Sequence, residues 1–516
     1  MRPSRNTEEL PLTRISRISL FLFFVVFVPL SSADDELDGA DEYIVAAMKH
    51  WEVPGAAIAV VKDGEVVFAK GYGVRDVGTE AFVDSTTLFN IASCTKSFTA
   101  ASVAVLVDQG KLDWDDPVSK HLPNLRFSDE YMTHHATLRD LLCHRTGLQR
   151  ADLLFTLGHL KRDELLERIT WLKPEAAFRT KHTYSNVMYA VLGEVVASTA
   201  KRSWNEFVED ELFEPLEMHS TTFSIGEKDR LNFAPRHWRD EGNITSRGMP
   251  VYDAPEAGGI YSSADDMTKW LQIQLATGRI SDRQVISEQA IREMHATQHS
   301  IPVLRTPKDN PYAARFYGFG LGWVTLDYRG RKLVMHTGSW GAIVGLVPEE
   351  NLGVVVLSNL DWNGMTGMLM YRVLDSYCTD SESVWRTDNL KQFDSEGPGH
   401  AYRSRDRERA ELEASRAKET KPALPLVKYA GQYRSSLFGD LQVLHKDERL
   451  SLLAGPFTTE LMHWENDVFY AKAPTRMNYD WLVQFDVKHG GVNEVTLKYV
   501  GWHEPDAVFQ RGSERK

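Results

Sequence analysis

The run SCTKSFTAASVAVLVDQG, residues 93–110, decides most of what the sequence implies. Apolar side chains cover nearly every face of its middle, so we predict a buried helix that ends at Gly110. Ser93 stands at the first turn, where free backbone N–H groups and the helix dipole stabilise negative charge. Lys96 lies one turn further on the same face, where burial would lower the pKa of its amine. The pair is typical of a nucleophile and its activator, although Ser-x-x-Lys alone also fits a capped helix with a chance lysine.

Segments rich in β-branched residues lie on both sides of this helix along the chain. Residues 56–73 (AAIAVVKDGEVVFAKGYG) predict a β-hairpin, because an Asp-Gly pair between two apolar runs readily adopts the positive φ of a tight turn. Residues 332–360 predict three more short strands, and runs of helical period fill the region between. We therefore expect an α+β fold of two lobes, in which both ends of the region close one antiparallel sheet beside a helical lobe.

A tyrosine motif precedes one of these predicted helices. Tyr184-Ser185-Asn186 comes just before the apolar run VMYAVLGEVVAST. A phenol and an amide on one loop offer a proton shuttle and a hydrogen-bond donor at the mouth of a site. Tyr184 could equally be an ordinary core tyrosine.

A histidine motif lies on one of the predicted strands. His336-Thr337-Gly338 is followed by Ser339. Gly338 would let a substrate backbone approach closely, and the N–H of Ser339 could complete an oxyanion hole. His336 alone could be only a strand histidine.

Together the three motifs resemble those of the serine β-lactamase and penicillin-binding-protein family. The resemblance is nearest to the branch of class C β-lactamases, D,D-carboxypeptidases, D-aminopeptidases and esterases. It covers about residues 40–378 and extends to the segments LLCHRTGL, AGGIYSSADDM and LSN. It implies a β-lactamase-like fold and acyl transfer to a serine.

The resemblance also implies a role for each motif residue. Ser93 would be the nucleophile, Lys96 its activator and Tyr184 the general acid and base. The other roles it implies concern substrate binding: an amide contact by Asn186, a carboxylate or leaving-group contact by His336 within His336-Thr337-Gly338, and an oxyanion hole of the Ser93 and Ser339 N–H groups. His144 and Asp116 would support loops.

Two departures from the family pattern bear on the substrate. His336 stands where many β-lactamases have lysine, which removes their fixed cation for a substrate carboxylate. Since the unperturbed pKa of histidine is about 6.5, we expect poor penicillin turnover at neutral pH and a growing preference for carboxylate-bearing substrates toward pH 6. Lys173-Pro174-Glu175 replaces the usual Pro-Gly turn before the tyrosine motif.

The chain changes character beyond residue 379. Residues 380–425 are charged and end in Lys421-Pro422-Ala423-Leu424-Pro425, which indicates a connector. Residues 426–516 alternate apolar and polar residues in short runs and predict a small all-β barrel, similar to the lipocalin-like domain often appended to such hydrolases. We expect a hydrolase domain over residues 34–379.

Composition and the N-terminus limit the function classes. A formal net charge of −13 argues against a nucleic-acid partner, since phosphate binding needs clustered lysine and arginine. The histidines and the three cysteines show no metal-ligand spacing, and nothing implies a cofactor. Residues 1–33 resemble a cleaved signal peptide, with basic residues, an apolar run and small residues at Ser31 and Ala33. We therefore expect export to the periplasm or the medium, without a transmembrane segment after cleavage.

The sequence thus predicts an exported serine hydrolase that forms an acyl-enzyme on Ser93. Its expected partner is a small-molecule or peptide substrate with an amide or ester bond, such as a D-amino-acid-containing peptide. Two alternatives remain at this point: a true β-lactamase, and a non-catalytic protein that binds cell-wall peptides. The sequence does not indicate the oligomeric state.

Overall fold

A computed structural model describes most of the chain. The described residues are 35–156, 161–240, 243–247, 254–303, 314–339, 341–361, 363–380, 384–387, 390, 410–472, 480–500 and 505–512. The predicted signal peptide and much of the predicted connector lie outside these residues. Within them, no helix is both long and apolar enough to cross a membrane.

Residues 410–415 are helical, and the other described α-helices lie before residue 379. They are α1 (Ala40–Trp51), α2 (Thr95–Asp108), α3 (Val118–His121), α4 (Glu130–His135), α5 (Leu138–Leu142), α6 (Leu153–Thr156), α7 (Arg162–Arg168), α8 (Asn186–Ala200), α9 (Trp204–Val208), α10 (Pro255–Gly258), α11 (Ala264–Leu275), α12 (Glu288–His295) and α13 (Met365–Cys378). Short 3-10 turns include Ala92–Cys94 and Ile169–Trp171. The predicted catalytic helix therefore begins at Thr95, and Ser93 lies in the turn that leads into it.

The strands of this region form one large antiparallel sheet and three small two-stranded sheets. The strands are β1 (Gly55–Lys62), β2 (Glu65–Gly73), β3 (Phe89–Asn90), β4 (Arg236–Asp240), β5 (Asn243–Arg247), β6 (Tyr261–Ser262), β7 (Arg279–Ile280), β8 (Arg283–Gln284), β9 (His299–Ser300), β10 (Tyr317–Phe319), β11 (Val324–Tyr328), β12 (Arg331–Gly338), β13 (Ala342–Val347) and β14 (Leu352–Ser358).

The large sheet has the order β2-β1-β14-β13-β12-β11-β10-β9. β1 pairs with β14, so the two ends of the region meet in the sheet, as predicted. The β1–β2 hairpin turns at Asp63 and Gly64, whose φ angles are +52° and +86°. One face of the sheet packs on α1 and α13, and the other packs on α2 and α11.

The C-terminal strands close into a barrel. They are β15 (Gly431–Ser435), β16 (Gly439–Lys446), β17 (Arg449–Ala454), β18 (Phe457–Glu465), β19 (Val468–Ala471), β20 (Trp481–Lys488), β21 (Gly491–Tyr499) and β22 (Ala507–Arg511). β15 pairs with both β16 and β22, and the aromatic rings of Tyr429, Phe469 and Phe485 pack edge to face. The predicted all-β barrel is confirmed, while the exact domain boundaries stay a prediction.

The contribution of Phe98 of α2 to the stability of the core can be measured by mutation. Its ring is fully buried and stacks on Trp270 of α11 with 3.8 Å between ring centroids. We expect Phe98→Ala to lower the free energy of unfolding by about 3–5 kcal/mol, because it leaves a cavity between the two helices. Urea denaturation would measure this loss. Phe82→Ala is the matched control, because Phe82 is 71% exposed and its loss should change stability by less than about 0.5 kcal/mol. Equal losses in the two variants would contradict this account of the core.

Candidate active site

The turn that carries Ser93 is held in an uncommon backbone conformation. Ala92 has a φ of +45°, in the left-handed region that residues other than glycine rarely occupy. The Asn90 side chain accepts a hydrogen bond from the Ala92 N–H at 2.8 Å. A Cβ atom at Gly338 would lie 2.4 Å from the Ile91 carbonyl oxygen, so only glycine lets β12 pack this closely on the turn. These contacts fix the direction in which Ser93 leaves the backbone.

The Lys96 amine lies inside the protein, beside Ser93. Its side chain is fully buried, and Nζ donates hydrogen bonds to Ser93 Oγ at 3.2 Å, Asn186 Oδ1 at 2.7 Å and the Ala257 carbonyl at 2.6 Å. Burial holds the pKa of Lys96 well below its usual value, and the Asp152 carboxylate opposes part of that shift. When the amine loses its third proton, two N–H groups remain for Asn186 and Ala257, and its lone pair can accept the proton of Ser93.

Tyr184 lies on the other side of the serine. Burial raises the pKa of its phenol above the usual range, while a hydrogen bond with the Ser93 side chain acts in the opposite direction. Lys96 Nζ lies 4.9 Å from the centroid of the Tyr184 ring. The phenol is therefore protonated at neutral pH and can pass a proton between the serine, the amine and a leaving group.

Asn186 begins α8 and is bonded to protein on both sides. Its Oδ1 accepts from Lys96, and its Nδ2 donates to Asp152 Oδ1 at 2.9 Å. The structure thus brings Asn186 to the predicted place, with its amide holding Lys96. Its predicted contact with a substrate amide stays a prediction.

His336 is a neutral group in this structure. Its ring is 3% exposed, and Nδ1 donates to the Thr337 carbonyl at 2.9 Å. Among the described residues, Nε2 is buried without a hydrogen-bond partner. Burial, together with the charge of Lys96, lowers the pKa of His336 to about 3. This shift does not support the expected growth of carboxylate preference toward pH 6, because an imidazole with this pKa does not take up a proton there.

The rest of the strand motif lies at the edge of the site. Thr337 is exposed, and Gly338 ends β12 against the turn of Ser93. Ser339 follows in the turn before β13, half-buried. The oxyanion role of its N–H stays a prediction.

His144 supports the tyrosine segment. Its Nδ1 accepts from the Ser185 N–H at 3.2 Å, and its carbonyl accepts from the Thr183 N–H at 2.8 Å. Its ring centroid lies 4.2 Å from that of Tyr184. Asp116, by contrast, accepts from Lys120 and His121 within its own loop.

Four residues of the site were missed by sequence reasoning. They are Asp152 and its partner Arg150, Ala257 through its backbone carbonyl, and Phe319, whose ring contacts those of His144 and His336. A carbonyl leaves no side-chain signal. Asp152 lies four residues after Leu148, the last residue of the LLCHRTGL segment, in a stretch without a motif. Among the described residues, no cluster of histidine, cysteine or carboxylate side chains could hold a metal ion.

The comparisons with known proteins concern the family and the fold of the chain. A model of the beta-lactamase family matches residues 40–374, and a model of a domain of unknown function (DUF3471) matches residues 415–512. Protein flp of Staphylococcus aureus (strain MW2) is 28% identical over 346 residues, which are 64% of each chain, so this chain spans less than two thirds of that relative. The unguisins hydrolase ungD' of Aspergillus campestris is 27% identical over 463 residues, which are 82% of each chain.

Two solved structures share the fold. The octameric penicillin-binding protein homologue from Pyrococcus abyssi superposes with a TM-score of 0.57 at 22% identity, covering 92% of this chain and 100% of that one. A class C beta lactamase from Rhodobacter sphaeroides superposes with a TM-score of 0.54 at 22% identity, covering 66% of this chain and 98% of that one. At such identities the likeness concerns the fold alone.

The pH dependence of serine reactivity tests the environment of Lys96. Only the neutral amine can accept the proton of Ser93, so reactivity should fall as the pH drops through the pKa of Lys96. The Asp152 carboxylate stabilises the ammonium form and raises that pKa. We therefore expect Asp152→Asn to lower the pKa of Lys96 and to move the acid limb of the profile to lower pH. The rate of fluorophosphonate labelling would be measured from pH 4 to 10, about three units on either side of neutrality.

The control for this experiment is Asp282→Asn, which removes an exposed carboxylate from the turn between β7 and β8. Its profile should superpose on that of the wild type. An acid limb that stays in place in Asp152→Asn, or that moves to higher pH, would contradict the assignment of Lys96 as the base.

Proposed function

The chain belongs to the beta-lactamase family of serine hydrolases, and from that premise we propose that it cleaves amide or ester bonds through an acyl-enzyme on Ser93. The observation that carries the proposal is the hydrogen bond of 3.2 Å between the fully buried Lys96 amine and Ser93 Oγ. A buried lysine with a lowered pKa beside a serine is the arrangement that activates a hydroxyl near neutral pH.

In the proposed mechanism, the neutral Lys96 amine takes the proton of Ser93 while Oγ attacks the substrate carbonyl. The N–H groups of Ser93 and Ser339 would stabilise the resulting oxyanion. Tyr184 would then give its proton to the leaving group and take the one held by Lys96, as the tetrahedral intermediate collapses to the acyl-enzyme. A water molecule would release the acyl group by the reverse sequence of proton transfers.

The neutral form of the His336 imidazole supports a particular substrate class. The imidazole offers a hydrogen bond without a charge, since its pKa is lowered to about 3. We therefore propose that the group beside the scissile bond is uncharged, as in the amide or ester of a D-amino-acid-containing peptide. The name of the relative ungD' describes a hydrolase, which supports hydrolysis as the reaction class.

Two alternatives are weaker. A true β-lactamase would share the fold of the class C enzyme, but the site has a neutral imidazole where such an enzyme needs to hold a carboxylate. A non-catalytic binding protein would have no need to bury an amine against a serine, because burying a charge-bearing group is unfavourable. We also propose, from the sequence of residues 1–33, that the protein is exported to the periplasm or the medium.

The nucleophile can be tested without knowing the substrate. A fluorescent fluorophosphonate should label the wild type, and Ser93→Ala should lose the label because, among the described residues, Ser93 carries the one serine or threonine hydroxyl hydrogen-bonded to the Lys96 amine. Turnover of any ester or amide substrate should fall by about 10⁴-fold or more. Circular dichroism should show an unchanged fold in the variant. Turnover within tenfold of the wild type would remove Ser93 from the mechanism, and a wild type that neither labels nor turns over a broad substrate panel would favour the binding-protein alternative.

The charge state of His336 gives a second test. Two p-nitrophenyl esters would be compared, one with a carboxylate and one with a neutral amide beside the scissile bond. The ratio of their kcat/KM values should stay constant from pH 5 to 8, because this range lies about two units or more above the pKa of His336. His336→Lys should shift that ratio toward the carboxylate by roughly 1–2 kcal/mol, through a charge-assisted hydrogen bond. The control Lys332→Arg changes a cation on the same strand and should leave the ratio unchanged. A wild-type ratio that rises steeply as the pH falls to 6 would contradict the neutral imidazole.

A further inference from the structure

A segment between α5 and the tyrosine motif closes on itself beside the active site. Its described parts are residues 149–156 and 161–173, which we call the bridging segment. The Gln149 N–H donates to the Lys173 carbonyl at 2.8 Å, and the Lys173 N–H donates to Gln149 Oε1 at 3.1 Å. Leu148 and Pro174 form a bridge just outside this pair. The two ends of the bridging segment are therefore held together, and a displacement at one end is transmitted to the other.

The start of the bridging segment contacts the catalytic residues. Arg150 donates to Asp152 Oδ2 through Nε at 2.8 Å and through Nη2 at 2.5 Å. Asp152 Oδ1 accepts from Asn186, and Asn186 accepts from Lys96. Arg150 Cζ also lies 5.4 Å from the centroid of the Tyr184 ring. The positions of the Arg150 and Asp152 side chains thus determine the strength of the hydrogen bond between Asn186 and the Lys96 amine.

The middle of the bridging segment supports a second acceptor of the same amine. Arg162, the first residue of α7, donates to Glu256 Oε1 at 2.6 Å and to Glu194 Oε1 at 2.6 Å. Glu256 is 3% exposed and directly precedes Ala257, whose carbonyl accepts from Lys96. Two of the three acceptors around Lys96 therefore depend on the bridging segment.

The end of α7 is attached to the barrel. Arg168 Nη1 donates to the carbonyl oxygens of Ser435 at 3.3 Å, Ser436 at 2.8 Å and Leu437 at 3.4 Å, in the turn between β15 and β16. A guanidinium that meets several carbonyls makes charge-assisted hydrogen bonds, which are stronger than neutral ones. Leu172 of the bridging segment and Leu437 of the barrel also belong to one continuous apolar cluster.

We propose that the C-terminal barrel positions the catalytic amine within the same chain, and that Arg168 is the positioning residue through which it does so. By holding the end of α7, the barrel keeps the bridging segment closed at Gln149 and Lys173 and keeps Asn186 and Ala257 against Lys96. This inference rests on the proposed function, because it concerns the reactivity of Ser93. It assigns the barrel a role in catalysis that does not require contact with the substrate.

The proposed effect depends on local opening of the bridging segment. Surface segments open with free energies far below that of global unfolding, and contacts at their ends set how often they do so. Without the Arg168 contacts, the open form of the bridging segment should be more populated. In that form the amine loses two of its acceptors, and its geometry toward Ser93 is no longer fixed. We expect a loss of about tenfold in serine reactivity, the size of effect that one charged hydrogen-bonding group can have.

The test compares two variants of the full chain. Arg168→Met keeps the length of the side chain and removes its donors. Arg416→Met is the matched control, because Arg416 also donates to barrel carbonyls, those of Trp464 at 2.6 Å and His463 at 3.2 Å, but does not contact the bridging segment. We expect Arg168→Met to slow fluorophosphonate labelling of Ser93 about tenfold and to speed deuterium uptake in residues 149–156 and 161–173. Arg416→Met should change neither.

Arg168→Lys is a second variant that keeps the test decisive if Arg168→Met misfolds. A lysine can donate to some of the same carbonyls, so labelling and exchange should lie between those of the wild type and Arg168→Met. Unchanged exchange in Arg168→Met would overturn the attachment to the barrel, and faster exchange with an unchanged labelling rate would overturn its catalytic role. A wild type that does not label would overturn the proposed function, and the catalytic role with it, while the exchange comparison would still decide whether Arg168 holds the bridging segment.

Discussion

The burial of the Lys96 amine is the constraint on which the rest of the site depends. An unpaired ammonium in a protein interior is strongly unfavourable, so the group either loses its proton or finds acceptors. Here its acceptors come from three separate parts of the chain: the turn of Ser93, the start of α8 at Asn186, and α10 at Ala257. The fold must bring these parts together before the lysine can be buried. The turn of Ser93, α8 and α10 therefore converge on this amine.

The same burial sets the protonation of its neighbours. It lowers the pKa of Lys96 and of His336, and it raises the pKa of Tyr184. Each shift favours the uncharged form, since a charge is poorly stabilised away from water. The side chains of Lys96, His336 and Tyr184 are thus each shifted toward the form without charge. The proton of Ser93 can move to the amine along a direct hydrogen bond, and the uncharged His336 has little attraction for an anionic substrate.

The sequence predicted the parts of the structure that depend on neighbours along the chain. The spacing of Ser93 and Lys96 lies within one helical turn, and the strands of the sheet follow from runs of β-branched residues. Asp152 and the Ala257 carbonyl escaped prediction because they reach Lys96 and its partners only through the tertiary fold. The pKa of His336 was misjudged for the same reason, since Phe319, which packs on its ring, and Lys96, whose charge lowers its pKa, come from other elements.

The two sides of the site differ in how they are held. Ser93 and His336 are fixed by the central sheet, because β12 packs against the turn at Ala92, whose left-handed φ of +45° persists only where its surroundings impose it. The acceptors of Lys96 other than Ser93 are instead held by side-chain contacts of the bridging segment and α10. The proposed nucleophile is thus placed by backbone packing against the sheet, whereas two acceptors of the proposed base are held in part by side-chain contacts. An appended domain that alters reactivity without deforming the sheet would therefore act on the base, which is the side of the site that the barrel reaches through Arg168.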